Sequence, residues 1–392
     1  MRIVQINCVY AKGSTGRIVE TLHRYYQTHG HESYVLYGRG ESPDVQKSII
    51  KVSRELPSKA RSALSRITGN LYGMALMPTR RIKKSIETIA PDVVHLHCIN
   101  GNFCNIFQLI SWLGAEGIPT VITQHAEFLY TGNCGYAYDC EQWKTGCHHC
   151  PDPVGAIGSP RHAATHENWL KMKNAFEGAA QFRLVGVSDW VSERSRQSAI
   201  LGAYPCLTVL NGLDTSVFHF RGKDKKACSE VIYVTPYFED ENKGGLWLLE
   251  LAKETHNLPI HYSVVGRTEK EYTADNVTFE GVVNDPAQLA KLYSNADVCL
   301  LTSRRETFSM VTAEALCCGT PVVGFRAGAP EQICIPEYGS FVPYGDIHAL
   351  KTALVDMLKR EVDRQRLSDT AKSKYSSERM AKEYIGIYEA FA

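Results

Sequence analysis

Short runs of apolar and β-branched residues recur along the chain and alternate with segments of helical periodicity. Examples of such runs are Ile3–Ile6, Thr120–Thr123 and Val231–Val234. Runs of this length between turn residues are typical of buried strands. The segments 18–28 and 347–358 instead space their apolar residues as amphipathic helices do. The alternation predicts an α/β fold.

The stretch 302–331 has the most informative pattern. It predicts a loop after one strand, then a short helix that Gly319 and Pro321 stop before the next strand. Two carboxylates lie eight positions apart in it, Glu306 in the loop and Glu314 inside the helix.

These two carboxylates suit a particular ligand. If the helix begins near Ser309, a ligand across its N-terminus would meet Glu306 and the free amides of Phe308, Ser309 and Met310, with Glu314 about one turn deeper. Free amides and the helix dipole favour a phosphate. Hydroxyl groups on either side of that phosphate would suit the two acids, as in a nucleotide sugar. Alternatively, no ligand binds here, Glu306 is a solvated loop residue, and Glu314 lies on the surface of an ordinary helix.

A glycine-rich segment follows the first predicted strand. Gly13, Gly16 and Arg17 belong to it, and a helix is expected from about Ile18. Glycines between a strand and a helix let the backbone approach a phosphate or sugar closely. The segment is not a P-loop, because no Gly-Lys-Ser/Thr follows. A tight turn without a ligand is the alternative interpretation.

Basic residues dominate the segment 47–84, which contains ten lysines and arginines and one acid. Leu64, Ile67, Leu71 and Met74 recur in it near helical spacing, so one face could be apolar. A basic amphipathic segment can lie on an anionic membrane surface. Alternatively, its apolar stripe packs into the core and its charges are solvated.

Histidines stand near the ends of two predicted strands. His95 and His97 alternate with apolar residues and therefore share one strand face. They could bind a metal, but a structural role is favoured. His125 follows the strand 120–123, and the carboxyl end of such a strand is where open α/β sheets bind ligands. A buried core histidine is the alternative.

Four cysteines cluster in the segment 130–155. They are Cys134, Cys140, Cys147 and Cys150, and the last two form a C-x2-C pair. Four thiols suit a closed, structural zinc site. Disulfides or reduced thiols are the alternatives.

Composition narrows the class of protein. A chain of 392 residues with 44% hydrophobic content suits two or three domains. Its 43 basic and 42 acidic residues argue against a general nucleic-acid binder. No run reaches the roughly eighteen apolar residues of a membrane span, and no export signal is recognised. We therefore expect a cytoplasmic protein with reduced thiols, at the inner face of the membrane if the basic segment binds lipid.

Several motifs resemble those of the retaining glycosyltransferases with a GT-B fold, and the resemblance covers nearly the whole chain. It implies an α/β architecture of two Rossmann-like parallel-sheet domains that face each other across a cleft. The implied domains are an acceptor-side domain 1–215, a nucleotide-sugar domain 216–374 and a terminal helix 375–392 that returns to the first. The matching motifs are DVVHLH (92–97), NGLD (211–214), TFS (307–309), AEAL (313–316), GTPVV (319–323) and GAPE (328–331).

The resemblance also implies roles for residues. In this family the first acid of the E-x7-E pair, here Glu306, contacts the donor sugar, and the second, here Glu314, contacts the ribose. His125 would contact the donor sugar. The aspartate that usually follows this histidine is Ala126 here, and Glu127 would replace it only if its loop turns inward.

The diphosphate contacts depart from the family pattern. A lysine before glycine is present as Lys243, but Pro236-Tyr237-Phe238 occupies the place of the usual arginine. Lys243 therefore acts alone or with help from Arg267. The other implied donor-side contacts are Gly13, Gly16, Arg17, Thr307, Phe308 and Ser309.

The cysteine block resembles that of bacterial exopolysaccharide and colanic-acid-type members, where we expect it to stiffen an insert beside the acceptor cleft. The implied reaction is transfer of a sugar, with retention, from a nucleotide-diphosphate sugar to a saccharide or lipid-linked saccharide. UDP is expected ahead of GDP, and no metal cofactor is expected for catalysis. The alternatives are a phosphorylase or sugar-nucleotide epimerase of the same fold, and a non-enzymatic zinc-containing scaffold.

Overall fold

A computed structural model describes residues 1–42, 46–152, 164–224 and 227–391. The end of the linker predicted at 221–226 and of the insert predicted at 130–155 lies outside these ranges. The chain divides into two compact units, which are residues 1–210 with the segment from Met380 onward, and residues 211–379. Each unit contains a parallel sheet with helices packed against it, which confirms the predicted α/β class.

In the first unit the described residues form a seven-stranded sheet with the order β3-β2-β1-β4-β5-β6-β7, in which every neighbouring pair is parallel. Its strands are β1 (Arg2–Val9), β2 (Glu32–Arg39), β3 (Ile49–Lys51), β4 (Val93–Leu96), β5 (Thr120–Gln124), β6 (Phe182–Gly186) and β7 (Cys206–Thr208). Its first six helices are α1 (Gly13–Thr28), α2 (Glu55–Thr68), α3 (Leu76–Ile89), α4 (Ile106–Ala115), α5 (Ala164–Phe176) and α6 (Asp189–Gln197).

The described part of the second unit forms a six-stranded parallel sheet with the order β10-β9-β8-β11-β12-β13. Its strands are β8 (Ser229–Tyr237), β9 (Ile260–Arg267), β10 (Val277–Gly281), β11 (Val298–Leu301), β12 (Val322–Phe325) and β13 (Gly339–Val342). Its helices are α7 (Gly245–Glu254), α8 (Pro286–Asn295), α9 (Met310–Cys317), α10 (Pro330–Ile333), α11 (Ile347–Leu358) and α12 (Arg364–Tyr375), and α13 (Ser377–Glu389) then leads into the first unit.

Successive residues of the central strands supply two cores, one on each face of the sheet. In the first unit Ile3 packs with α1 and with Tyr384 and Tyr388 of α13, whereas its neighbour Val4 packs on the opposite face with α3 and α4. Each large apolar side chain buried in this way stabilises the fold by roughly 1.5–3 kcal/mol. The second unit is built likewise, with Leu300 of β11 packed in a core that α7 and α11 complete.

The glycine-rich segment is not a loop. It forms the start of α1, which begins at Gly13 rather than near Ile18. Gly13 has a φ of +64°, in the left-handed region that favours glycine, and a Cβ on Gly16 would lie 3.2 Å from Val9 Cγ2. The prediction placed both glycines in a loop or tight turn before the helix, whereas Gly13 begins the helix and Gly16 lets it pack closely on β1.

The basic segment forms the two helices α2 and α3 with β3 before them. The predicted apolar stripe is divided, because Leu71 is buried whereas Leu64 and Ile67 are 49% and 65% exposed. Neither interpretation of the stripe holds for all of its residues. Within the described ranges, no helix is both long and apolar enough to span a bilayer.

Candidate functional site

The sheet of the second unit reverses its strand order between β8 and β11. Strands β9 and β10 continue on one side of this point, and β12 and β13 on the other. The loops that follow two such strands diverge, and the crevice they leave at the carboxyl ends is where open parallel sheets bind ligands. Here those loops are residues 238–244 and 302–309.

An ion pair joins these two loops. Lys243 Nζ lies 2.7 Å from Glu306 Oε1, with the two side chains 25% and 10% exposed. Both were predicted as site residues on the resemblance, and the fold brings them together across 63 positions of sequence. Because the pair is partly shielded from water, the electrostatic attraction between the two charges is stronger than it would be on an open surface. The pair offers a cation and a hydrogen-bond acceptor at one place.

Backbone contacts fix the distance between the same loops. The Tyr233 hydroxyl donates to the Lys243 carbonyl at 2.8 Å, and the Thr302 hydroxyl donates to the Gly244 carbonyl at 2.8 Å. Gly244 has a φ of +70°, and a Cβ there would lie 2.4 Å from the Thr302 carbonyl oxygen. Only glycine permits this approach. Tyr233 and Thr302 were not predicted, since no local pattern marks their contribution.

The Glu306 backbone is held from the other side by the GAPE motif. Its amide donates to the Ala327 carbonyl at 2.9 Å, and its carbonyl accepts from the Ala329 amide at 3.2 Å. The Glu331 carboxylate in turn accepts from the amides of Ala327 and Gly328, each at 3.0 Å. Glu331 therefore supports the loop that positions Glu306. The motif was recognised in the sequence, but this role was not.

The helix at this site begins at Met310, next to the predicted start. Ser309 has a φ of +77°, and its hydroxyl accepts from the Thr312 amide at 3.2 Å. The Ser309 side chain therefore caps the helix. Thr307 and Phe308 are buried. The phosphate contact predicted for this turn was assigned to backbone amides, and it stays a prediction.

Two further predicted donor contacts lie in the second unit. Glu314 Oε2 accepts from the Tyr293 hydroxyl at 3.1 Å, and burial together with this carboxylate raises the pKa of Tyr293, so the phenol stays a donor. Arg267 ends β9, next to β8, with its side chain 68% exposed and Nη2 3.9 Å from Glu269. Arg267 thus lies at the same edge of the sheet as Lys243.

The first unit has its own reversal, between β1 and β4. The start of α1, with Gly13, Gly16 and Arg17, follows β1, His97 follows β4, and His125 follows the adjacent β5. Arg17 and Gly13 are exposed, whereas Gly16 is buried. The structure therefore places the predicted glycines, Arg17 and His125 at the carboxyl edge of one sheet, in a different unit from Glu306 and Lys243.

Three histidines lie together at this edge. His97 Nδ1 is 3.2 Å from His125 Nε2, and His95 bonds Tyr388 through Nδ1 and Thr123 through Nε2. Burial lowers the pKa of His95 and of His97 well below the usual value, and the neighbouring imidazoles lower them further. Burial also lowers the pKa of His125 to about 4. All three rings are therefore neutral at pH 7.

Glu127 is occupied by protein contacts. Its Oε1 accepts from Arg194 Nε at 2.7 Å and from the Tyr130 hydroxyl at 2.8 Å, and its Oε2 accepts from the Ala137 amide at 2.7 Å. The side chain is fully buried. Glu127 therefore ties the cysteine-rich segment to α6 instead of supplying the acid that Ala126 lacks.

The four clustered cysteines are unpaired thiols. Cys147 Sγ accepts from the Gly132 amide at 3.2 Å, and burial raises the pKa of Cys147 to about 12, with smaller contributions from Cys140 and Cys150. Burial also raises the pKa of Cys134. Across the described ranges, no three His, Cys, Asp or Glu side chains are arranged to hold a metal ion.

Family models match both units of the chain. Residues 15–217 match the model described as Glycosyltransferase Family 4, and residues 229–360 match Glycosyl transferases group 1. The first match alone spans half of the chain. Together they cover Glu306, Lys243 and His125.

Named relatives cover nearly the whole chain at low identity. The Escherichia coli protein assigned to colanic acid biosynthesis as glycosyl transferase WcaC is 23% identical over 99% of this chain and 100% of its own length. A GDP-mannose-dependent alpha-(1-6)-phosphatidylinositol dimannoside mannosyltransferase of Mycobacterium tuberculosis is 24% identical over 90% of this chain and 87% of its own.

Solved structures show the same fold. Sucrose-phosphate synthase from Thermosynechococcus elongatus superposes with a TM-score of 0.69 at 17% identity and covers 100% of this chain and 99% of its own. HepE of Anabaena, in complex with UDP and glucose, superposes with a TM-score of 0.67 at 13% identity, with 100% of each chain covered. These likenesses confirm the predicted GT-B fold.

The neutral histidines predict acid sensitivity of the first unit. An unfolded histidine has a pKa of about 6.5, so the unfolded chain binds more protons than the folded one between about pH 6.5 and 4. The contribution of the neutral histidines to the free energy of unfolding is complete above about pH 6.5. It falls as the pH drops through this window, by at most about 1.4 kcal/mol per pH unit for each fully buried histidine.

Thermal unfolding of the wild type and of His95→Phe, monitored from pH 7.5 to 4.5, measures this effect. The variant should lose part of the pH dependence, whereas His29→Gln, which changes an exposed histidine of the same unit, should keep all of it. Equal pH dependence in all three proteins would contradict the assignment.

Proposed function

Because the chain belongs to glycosyltransferase family 4, we propose that it transfers a sugar from a nucleoside diphosphate sugar to a hydroxyl of a saccharide or lipid-linked saccharide. The observation that carries this proposal is the Lys243–Glu306 pair, 2.7 Å apart at the strand-order reversal of the second unit. A donor of this kind presents a diphosphate for the lysine and sugar hydroxyls for the carboxylate.

Each contact has a chemical purpose. Lys243 and the amides at the start of α9 stabilise the charge that grows on the departing diphosphate, where a fixed positive potential lowers the barrier most. Arg267, exposed at the same edge, adds a second cation. Glu306 accepts hydrogen bonds from sugar hydroxyls. Glu314, whose carboxylate is held by the Tyr293 hydroxyl, accepts hydrogen bonds from the ribose hydroxyls.

We propose that the reaction proceeds with retention, by displacement on one face of the sugar. The bond from the anomeric carbon to the phosphate oxygen breaks, the bond to the acceptor oxygen forms on the same face, and the departing phosphate takes the acceptor proton. His125 contacts the donor sugar. Since Lys243 and the helix stabilise the leaving group, the proposal includes no catalytic metal.

The relatives support a role in cell-surface saccharide synthesis. The name of the Escherichia coli relative gives colanic acid biosynthesis, and that of the mycobacterial relative gives GDP-mannose and phosphatidylinositol dimannoside. The Anabaena structure holds UDP. We propose UDP ahead of GDP as the nucleotide, and the experiment below compares them.

The first experiment measures binding and transfer together. The midpoint of thermal unfolding is measured with UDP, GDP, ADP and CMP, both free and as their common sugar conjugates. The midpoint should rise with one diphosphate nucleotide, because a ligand that binds only the folded state stabilises it. Glu306→Gln keeps the shape of the side chain but removes its charge. It should lower transfer at least about tenfold without unfolding the protein.

Glu250→Gln is the matched control, since Glu250 is an exposed acid on α7 of the same unit. It should behave as the wild type. Full activity of Glu306→Gln would remove Glu306 from the site. A wild type that binds no nucleotide sugar would favour the scaffold, and phosphate-dependent cleavage or free epimer formation would favour the other two enzyme classes.

We also propose that the first unit contacts an anionic membrane through α2 and the start of α3. Helix α2 buries polar residues and exposes apolar ones. Ser58 and Ser65 are buried, whereas Leu56, Leu64 and Ile67 are 79%, 49% and 65% exposed. In α3, Leu76 and Met77 are 51% and 59% exposed. Exposed cations flank these residues, and apolar area with basic charge is what draws a helix to anionic lipid. The exposed cations are Arg54, Lys59, Arg80, Arg81 and Lys84.

Co-sedimentation with vesicles measures this contact. The wild type should bind vesicles that contain anionic phosphatidylglycerol and bind neutral ones weakly, and Lys59→Gln with Arg80→Gln and Ile67→Asn should reduce the bound fraction several-fold. Arg61 is left intact because its Nη2 bonds Ser53 and Ser58 and holds α2 in place. Lys291→Gln, an exposed lysine of the second unit, is the control. Equal binding by all proteins would refute the contact.

We also propose a structural zinc at the four clustered thiols, and this proposal rests on their spacing in the sequence. Metal analysis of protein purified without added metal should find about one zinc per chain. Cys147→Ser with Cys150→Ser should abolish it, whereas Cys206→Ser, outside the cluster, should not. A zinc-free, stable wild type would refute the proposal.

A further inference from the structure

We propose that His97 is a positioning residue, which fixes the orientation and the protonated nitrogen of His125. His97 Nδ1 lies 3.2 Å from His125 Nε2, and the two rings are inclined by only 27° with centroids 5.5 Å apart. This geometry lets one ring donate to the other. The part that His125 plays in transfer rests on the proposed function, whereas the pairing itself does not.

His97 is itself held in place. Its ring lies against that of His95, with centroids 3.9 Å apart. His95 cannot turn without breaking two hydrogen bonds, at 2.6 Å to the Tyr388 hydroxyl and at 2.7 Å to the Thr123 hydroxyl. The Tyr26 hydroxyl extends this array at 2.9 Å from that of Tyr388. A satisfied buried network of this kind is rigid, so His97 meets His125 at a set angle.

The protonation state of His97 and His125 determines which hydrogen bond they can form with each other. Burial lowers the pKa of each of the three histidines, and that of His125 falls to about 4. At neutral pH each ring therefore carries one proton. Between His97 and His125 one nitrogen must donate and the other must accept.

The environment of His97 favours one direction. Its Nε2 is buried and has no hydrogen-bond partner in the part of the chain that the structure describes. If Nδ1 accepted, the proton would sit on Nε2 as a buried, unpaired donor, which folded proteins avoid more strictly than an unpaired acceptor. His97 therefore donates from Nδ1, His125 accepts at Nε2, and the proton of His125 lies on Nδ1. In that state His125 Nε2 is not available as a base.

Two substitutions separate positioning from packing. His97→Asn retains an N–H donor near the position of Nδ1 but is smaller, whereas His97→Leu has no donor and fills more of the space. If His97 positions His125, the leucine variant should lose at least about tenfold in kcat/KM and the asparagine variant should retain activity within about threefold. If His97 only packs, the smaller asparagine should be the worse replacement.

The second readout does not depend on activity. Ring 15N chemical shifts should show His125 protonated at Nδ1 in the wild type and in His97→Asn, and as a mixture of both neutral tautomers in His97→Leu. His29→Leu, at an exposed position of the same unit, should leave the His125 signals unchanged. A wild-type His125 protonated at Nε2 would overturn the proposal even if neither variant folds. Leucine as active as asparagine, with unchanged tautomer, would also overturn it. An inactive wild type would refute the proposed function, and the chemical shifts would still test the pairing.

Discussion

The ion pair between Lys243 and Glu306 is the contact on which the second unit's site depends. It is partly withdrawn from water, so removal of either partner would leave a charge with neither solvent nor counter-ion to stabilise it fully. The surrounding backbone supports the pair from three sides, through Tyr233, Thr302 and the loop that Glu331 holds. These contacts within the protein fix the geometry of the site, which lowers the entropy that binding must overcome.

The first unit reaches a similar rigidity by a different route. Its site edge contains neutral rings and hydroxyls instead of an ion pair, and each of the bonds around His95 crosses between elements that are distant in sequence. Tyr384 and Tyr388 come from the last helix and contact residues of β4 and β5. The end of the chain is thus part of the support for His125. Burial of these groups is tolerable because most of their polar atoms are paired with one another.

Two segments show how tertiary partners override local preference. Glu127 stands beside the position where the resemblance implies an acid, yet Arg194 and Tyr130 bind its carboxylate inside the protein. Helix α2 has the periodicity of an ordinary amphipathic helix, yet it buries serines and exposes leucine and isoleucine. In both cases the residue types are those expected, and their partners are not.

The sequence by itself determined the α/β class, the approximate position of most strands and helices, and the motifs with Glu306, Glu314 and Lys243. These features follow from local periodicity and from short patterns that one segment contains. Only the tertiary structure decided that Lys243 pairs with Glu306, that Glu331 supports the loop behind it, and that His97 bonds His125. It also decided that α1 begins at Gly13 and which face of α2 is buried. These outcomes depend on charges, hydroxyls and surfaces contributed by residues far away in sequence, and no local pattern specifies which of them a side chain will meet.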